Sequence, residues 1–338
     1  MSETLNSKPD LHKIRKPLNK LTNNKSEFKL RQNSLKSNKQ NFKDITTPTP
    51  IRNGIRKSYV SPTRNTNSQL KFKDFELGKI LGKGKLGKVY LAKHLASGYP
   101  VALKVMSKHD LIEHKLENNF KREIEIQSNL YHPNITRLFT WFFDDVNVYL
   151  VLEYSIYGEI YHNLKILKRF DNSIASYYIY QVTKALIYLH SKNIIHRDLK
   201  PENIMLTLNN NVKLSDFGWS VQMKNDRRLT VCGTVDYLPP EMIETKEHDF
   251  NVDKWSLGVL CYEFLVGKPP FEEPDTNATY KRIYNVDINY PSYLDPDAVD
   301  LIDKLLIKVP ENRLDLKEVL QHKWIVKNKV NWPKYTST

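Results

Sequence analysis

An α+β architecture in two lobes is expected of this 338-residue chain from three features of its order. Short alternating, β-rich segments run from about Phe75, one charged helical stretch interrupts them between Leu116 and Leu130, and beyond Gly158 the sequence turns mostly helical. Strands gathered ahead of helices imply segregated layers, because connections between elements stay mostly local. The expectation is a small antiparallel β-rich N-lobe with one main helix and a larger, mostly helical C-lobe. The cleft between such lobes is the default place for a ligand.

Each element has its own signal. Phe75-Glu-Leu-Gly-Lys-Ile-Leu81 alternates, and Val89-Tyr-Leu-Ala92 and Val101-Ala-Leu-Lys-Val105 resume β-rich runs around Ser97-Gly98, as antiparallel strands joined by tight turns do. Val148-Tyr-Leu-Val-Leu152 reads as a further strand after the charged helix. In Ala175 to His190 and in Lys254 to Val266, apolar residues recur three and four apart, the helical period.

Charge marks the first boundary. Residues 1–70 hold fifteen Lys/Arg against four Asp/Glu, leaving 37 against 34 for the rest, so nearly all of the net +14 lies in this leader. With three aromatic residues among many Asn, Ser, Thr and Lys, such a segment cannot bury enough apolar surface to offset its ordering entropy. It reads as a basic disordered leader: either a solvated tether or an arm attracted to acidic surfaces such as DNA, tubulin or partner domains. Thr47-Pro48, Thr49-Pro50 and Ser61-Pro62 are proline-directed phosphoacceptor candidates, and Arg15-x-x-Leu18 with Asn23 resembles a destruction box. The two cysteines, Cys232 and Cys261, have neither metal-ligand nor C-x-x-C spacing, which suits reduced thiols in an intracellular protein. No run approaches the ~20 apolar residues of a membrane span, so a soluble nuclear or cytoplasmic protein without a membrane partner is expected.

The chemistry is concentrated in four places. Gly82-Lys-Gly84-Lys-Leu-Gly87-Lys-Val89 is a G-x-G-x-x-G-x-V string whose missing side chains let backbone N–H groups approach phosphate oxygens. In a dinucleotide-binding βαβ unit the third glycine would open a helix, whereas here Lys88-Val-Tyr-Leu-Ala92 continues as strand, which favours a phosphate-covering hairpin. Lys104 stands among apolar neighbours and needs an anionic partner; Glu123 is the first choice and Glu125 the second. His196-Arg197-Asp198-Leu-Lys200-Pro-Glu202-Asn203 and Asp216-Phe217-Gly218 supply the remaining acids and bases. Phosphoryl transfer needs charge management more than covalent help. Asp198 suits the role of proton acceptor for a substrate hydroxyl, Lys200 that of a counter-charge to a moving phosphoryl group, and Asn203 and Asp216 that of hard oxygen ligands for Mg2+.

Glycine loop, lysine, helix glutamate, HRD and DFG stand in the order of protein kinases, and residues 75–325 resemble a eukaryotic protein kinase domain, with 326–338 as a short C-terminal tail. The resemblance implies the bilobal protein kinase fold, with ATP and Mg2+ as cofactors. It implies ATP contacts from Leu81, Gly82, Lys83, Gly84, Lys85, Leu86, Gly87, Lys88 and Val89 of the loop. It adds Ala102, Lys104 and Leu206, with Leu152 at the back of the adenine pocket and Glu153, Tyr154 and Ser155 as the connector along the adenine edge. Lys104, Glu123, Asp198 and Lys200 form the implied catalytic set. Pro239-Pro-Glu241 with Arg313, and Asp253 ahead of Trp255, carry structural roles in that family. Lys200-Pro-Glu202 and Gly233-Thr234 point to serine/threonine acceptors. Every catalytic group is present, against the reading of a kinase-shaped scaffold without activity.

Asp216-Phe-Gly-Trp-Ser-Val221 paired with Arg227-Arg-Leu-Thr230-Val-Cys-Gly233-Thr-Val-Asp-Tyr-Leu-Pro-Pro-Glu-Met242 resembles the Aurora kinases, fungal Aurora B-like members in particular, and Glu123-Ile-Glu-Ile-Gln127 adds to the likeness. The resemblance implies activation by autophosphorylation of Thr230, with the phosphate held by Arg197, while Thr234 is either a substrate-recognition residue or a structural hydroxyl near Asp198 and Lys200. Glu159 and Glu202 imply an Arg/Lys-x-Ser/Thr preference. A polar Gln127 where most kinases are apolar is expected to loosen the active arrangement unless something satisfies its amide. The family further implies mitotic work in chromosome segregation and kinetochore–microtubule attachment. Its implied partners are protein substrates, an inner-centromere-protein-like activating scaffold of a chromosomal passenger-type complex, and microtubules or chromatin through the leader. Nucleus, cytoplasm, kinetochore or centromere and mitotic spindle are the implied locations. Thr140, where Aurora A-type members carry glycine, leans toward the B-like class; an Aurora A-like spindle-pole kinase is the alternative.

Overall fold

The computed structural model describes residues 70–84, 87–223 and 233–333. Strands β1 (Phe75–Gly84), β2 (Gly87–His94) and β3 (Pro100–Ser107) are followed by the short helix α1 (Lys108–Glu113) and the longer α2 (Glu117–Gln127). Strands β4 (Leu138–Phe143) and β5 (Asn147–Glu153) complete an antiparallel sheet of order β1-β2-β3-β5-β4. Its turns are local. Gly98 takes a φ of +69°, suited to a residue without Cβ, and its N–H donates to His94 O at 2.8 Å. At the β4–β5 turn, Asp144 Oδ1 accepts from the N–H groups of Val146 and Asn147, so the side chain acts as part of the turn. Residues Val148–Val151 of β5 are buried in succession because the strand lies between β3 and β4, which is why its sequence reads as a continuous apolar run.

Helix α2 buries Phe120, Glu123, Ile124, Ile126 and Gln127, one stripe at helical spacing that contains two polar groups. The polar pair in an otherwise apolar stripe is where this lobe departs from plain packing. A hydrophobic cluster of the sheet gathers Phe75, Ala92, Val101, Leu103, Phe142, Tyr149 and Val151, with Leu70 and Phe72 packed against it.

The second lobe is built on α3 (Ile160–Leu167) and α4 (Asn172–Ser191), then the small strands β6 (Ile194–Ile195), β7 (Ile204–Leu206), β8 (Val212–Leu214) and β9 (Val221–Gln222). After these come α5 (Pro240–Ile243), α6 (Asn251–Val266), α7 (Thr276–Asn285), α8 (Pro296–Leu305), α9 (Leu316–Gln321) and α10 (Lys323–Asn328). Helix α4 starts ahead of its apolar periodicity because Asp171 caps it, Oδ1 accepting from Ile174 N at 2.8 Å. Helix α6 is buried from Val252 to Leu265 on almost every face, as a central core helix is. At Gly258 a Cβ would stand 2.9 Å from Leu305 Cβ, so the close approach of α6 to α8 requires glycine there.

The architecture is the expected α+β bilobal arrangement. The C-terminal tail is partly built into it: α10 runs to Asn328, and Trp332 sits against Tyr177 and Tyr180 while its indole N–H donates to Ser176 Oγ at 2.9 Å. Among the described residues no helix is long and apolar enough to cross a membrane. The leader through residue 69, Lys85, Leu86, Thr230, Cys232 and residues 334–338 lie outside the described residues.

Candidate active site

Strand β3 and helix α2 meet at the first polar contact of the cleft. Lys104 Nζ donates to Glu123 Oε1 at 2.8 Å, so Glu123 and not Glu125 receives the lysine. Helical phase decides it: Glu123 lies on the buried stripe of α2, whereas Glu125 lies on its exposed face. Burial by itself would lower the Lys104 pKa, but the carboxylates of Glu123 and Asp216 outweigh it and hold the ammonium above its ordinary value. Gln127, one turn on, is buried and donates from Nε2 to Thr136 O at 3.1 Å. The amide therefore finds its partner within the chain, and the expected loosening does not follow from an unsatisfied group.

The loop between β6 and β7 carries the densest chemistry. Arg197 takes a φ of +66°, a left-handed conformation that costs a non-glycine residue about 1–2 kcal/mol. The conformation is held from outside. Buried Asp253 on α6 accepts from His196 N at 3.0 Å, Arg197 N at 2.9 Å and His190 Nε2 at 2.8 Å. Burial by itself would raise the Asp253 pKa, but His190, His196 and the Arg197 N–H outweigh it and keep the carboxyl below its usual range. Arg197 itself is buried, and its Nε donates to Trp219 O at 2.8 Å, tying the loop to the segment after Gly218.

Four expected site residues converge here. Asn203 Nδ2 donates to Asp198 O at 2.7 Å and to Asp198 Oδ2 at 2.8 Å. Lys200 Nζ lies 3.1 Å from Asp198 Oδ2 and donates to Thr234 Oγ1 at 2.8 Å, while Thr234 Oγ1 donates to Asp198 Oδ1 at 3.4 Å. Thr234 thus joins the catalytic loop to the segment that follows Gly233. Asp216, at φ +59°, accepts from Gly218 N at 3.2 Å and faces the open cleft. Desolvation by the surrounding protein would raise its pKa, yet Lys104, the Gly218 N–H, His196 and Lys200 outweigh it and hold the carboxyl below its ordinary value. This donor set fits a hard divalent cation. Asn203 turns its amide nitrogen to Asp198, which leaves its carbonyl oxygen as the ligand atom, and Asp216 is a carboxylate held ionised.

The glycine loop is a β1–β2 hairpin, as strand continuation after Gly87 implied. Its glycines differ. A Cβ at Gly82 would meet nothing within 4 Å, whereas one at Gly87 would stand 2.0 Å from Val105 O, so the third glycine is required by the sheet itself. Lys83 pairs with Lys88, and Gly84 with Gly87, across the hairpin. The register sets Val89 opposite Lys104 and Ala102 opposite Leu152. Leu81 sits at a bulge in β1 and is exposed. Beyond β5 the connector continues through Tyr154 to buried Ser155, and Leu206 N donates to Gly158 O at 2.7 Å, bringing β7 beneath it.

Glu159, at the N-terminus of α3, has its pKa raised by burial and by neighbouring Glu202, partly offset by His162. A third acid was not singled out from sequence. Glu263 on α6 is buried, accepts a short hydrogen bond from the Tyr237 hydroxyl, and is pushed up to about 7 by burial, with Glu202 and Glu272 adding repulsion. The available signal was an acid inside the apolar run from Trp255 to Val266, which a buried helix does not hold without cause. Glu241 and Arg313 form a bidentate buried pair, both bonds 2.7 Å, fixing the Pro239–Glu241 turn against the helical lobe. This is the ion pair expected from the motif, and it is structural.

A two-lobed fold with a lysine–glutamate pair above, a braced aspartate loop below and oxygen donors between them is the arrangement of a protein kinase domain. Residues 75–325 match the family model for the protein kinase domain. Similarity narrows the class: the chain is 61% identical over 289 residues to an Aurora kinase of Candida albicans, covering 79% of this chain and 55% of that protein. It is 52% identical over 355 aligned positions to an Aurora kinase of Debaryomyces hansenii, covering 98% of this chain and 85% of the relative. A match at 54% identity over 255 residues to Aurora kinase A-B of Xenopus laevis covers 75% of the chain and 62% of that protein. The chain belongs to the Aurora family of protein kinases. Its matched region spans little more than half the length of the Candida albicans relative, at 55%.

Proposed function

We propose that this kinase transfers the γ-phosphate of ATP to serine or threonine in Arg/Lys-x-Ser/Thr contexts. The convergence of Asp198, Lys200, Asn203 and Thr234 within hydrogen-bonding distance carries the reading. Asp198 orients the acceptor hydroxyl and takes its proton, a contribution of about 10²- to 10⁴-fold in rate. Lys200 stands beside that carboxylate and offers its ammonium to the phosphoryl oxygens. Lys104, fixed by Glu123, is placed for the α- and β-phosphates. Asn203 and Asp216 are the residues that would hold Mg2+, which would supply positive charge against the phosphates. Glu153, Tyr154 and Ser155 present the backbone edge to adenine, and Leu152 backs the pocket. Glu159 and Glu202, with Glu263 close to Glu202, make the acidic surface that receives the substrate arginine.

Phosphorylation of Thr230 adds about two negative charges, which Arg197 beside the catalytic aspartate is placed to hold, ordering the activation segment. Two arginines precede Thr230, so the site matches the proposed substrate preference and autophosphorylation in trans supplies it. By its family the kinase acts in mitotic chromosome segregation at kinetochores and the spindle, within a passenger-type complex whose inner-centromere-like scaffold completes activation. The basic leader adds affinity for microtubules or chromatin.

A positional peptide array with the full-length chain tests the reaction. Selection for arginine or lysine upstream of Ser/Thr is expected, and proline-directed or acidic selection would overturn the specificity. Thr230→Ala should keep nucleotide affinity within about twofold of the parent while turnover falls at least tenfold; full activity of that variant removes the activation claim.

A further inference from the structure

Lys213 belongs to none of the roles assigned above, yet its ammonium joins three parts of the chain. It sits on β8, three residues ahead of Asp216. Its Nζ is 3.0 Å from Glu153 Oε2 at the start of the interlobe connector and donates to Pro133 O at 2.8 Å in the loop after α2. The pair is largely shielded, with side-chain exposures of 14% for Lys213 and 25% for Glu153, which sets it apart from a solvated surface contact.

The surrounding bonds make this contact a junction. The loop after α2 is sewn to β8: Asn134 Nδ2 donates to Val212 O at 2.9 Å, Leu214 N to Asn134 O and Thr136 N to Leu214 O, each at 2.9 Å. Buried Gln181 on α4 adds a further tie, its Oε1 accepting from both Asn134 Nδ2 and Val212 N. The same loop reaches the connector, since Glu153 N donates to Arg137 O at 2.9 Å and Arg137 N to Glu153 Oε2 at 3.2 Å. One oxygen of Glu153, Oε2, therefore receives both the backbone N–H of Arg137 and the Lys213 ammonium, so the loop and β8 meet the connector at a single atom.

We infer that Lys213 is a positioning residue for nucleotide binding: through Glu153 it sets the connector's adenine-binding edge relative to the β8 strand that leads to Asp216. Adenine and metal-bound phosphate are gripped at two ends of one ligand, and a site holds both ends well only if their separation is fixed beforehand. Without the ammonium, Glu153 keeps one donor and the connector loses its direct tie to β8. The consequence falls on nucleotide affinity, because the groups that handle the acceptor hydroxyl are braced independently by Asp253.

This inference rests on the assignment of Glu153, Tyr154 and Ser155 to the adenine edge, and the experiment separates the two. With the full-length chain and an arginine-containing peptide, KM for ATP, kcat and the Kd of a fluorescent ADP analogue are measured for the parent, Lys213→Met, Lys213→Arg and Glu153→Gln. Lys213→Met should raise KM for ATP and the analogue Kd about threefold to tenfold, with kcat changed less than twofold. Lys213→Arg should recover most of the affinity. Glu153→Gln is isosteric and removes only the charge, so it must reproduce the rise in KM even if Lys213→Met proves unstable. A lowered melting temperature with unchanged KM would overturn the inference, as would a rise in kcat at constant KM, the mark of a contact that restrains turnover. Leu152→Gly serves as the control for the pocket: it should accept N6-benzyl-ATP, which the parent rejects. If it does not, the adenine-edge assignment and the inference fall together; if it does and the Lys213 and Glu153 variants bind nucleotide like the parent, the inference alone fails.

Discussion

Replacing Asp253 by Asn tests how the catalytic loop is held. The carboxylate accepts three hydrogen bonds at 2.8–3.0 Å from His190, His196 N and Arg197 N, and it is wholly buried. A carboxamide has one accepting oxygen, so its nitrogen must face at least one N–H. A lost charge-assisted bond is worth about 1.5–3 kcal/mol and an unsatisfied buried donor about 1–3 kcal/mol, so the loss expected is about 2.5–6 kcal/mol. For a domain of this size that lowers Tm by about 5–24 °C. Turnover suffers separately: with the brace weakened, the left-handed Arg197 is no longer over-determined, and alternatives about 1–3 kcal/mol away reduce the competent fraction. We expect kcat to fall about 10- to 100-fold at saturating ATP and peptide. Differential scanning fluorimetry and steady-state kinetics read the two effects. An Asp253→Asn variant within 2 °C (about 1 kcal/mol) and threefold of the parent would refute the bracing argument.

Further expectations follow from the acids of the cleft. Glu263 is raised to about 7, so it is largely neutral at pH 6 and ionised at pH 8. KM for an arginine-containing peptide should therefore fall about threefold to tenfold over that range, and Glu263→Gln should flatten the profile. The folded state holds this proton more tightly than the unfolded chain, whose ordinary value is 4.5. The group's stabilising contribution is full below that value and is lost as pH rises through about 7, which Tm against pH measures in the same variant. Asp216→Asn removes the charge that Lys104, His196 and Lys200 maintain; turnover should fall at least about 100-fold and the apparent divalent-metal affinity at least about tenfold in a titration of metal against rate. Unchanged metal dependence would remove Asp216 as a ligand.

The local elements were legible because each obeys a short period. Alternation placed β1, β-rich runs placed β2 and β3, an apolar run placed β5, and recurrence at three and four placed α4 and α6. Strand continuation after Gly87 distinguished a phosphate-covering hairpin from a βαβ turn before any tertiary contact was known. The acids and bases of the cleft were also readable, since so many charged groups beside apolar residues have few other uses. Boundaries were less accessible: α4 begins at its Asp171 cap and not at its first apolar residue, and the segment after 326, read as a tail, continues as helix and docks Trp332.

What sequence order determined on its own was the inventory: a strand-rich lobe, a helical lobe, and two lysines, three acids and an amide spaced for phosphoryl transfer. Partnership was decided only by the tertiary structure. Glu123 takes Lys104 because α2 turns one face of its helix inward, and Gln127 is satisfied because Thr136 O lies opposite it. Glu263 rises to about 7 because α6 carries it into a shielded place beside Glu202, and Lys213 meets Glu153 across 59 intervening positions. Charges and hydrogen bonds act over a few ångströms in space, and positions far apart along a chain come within that reach only when the core has folded.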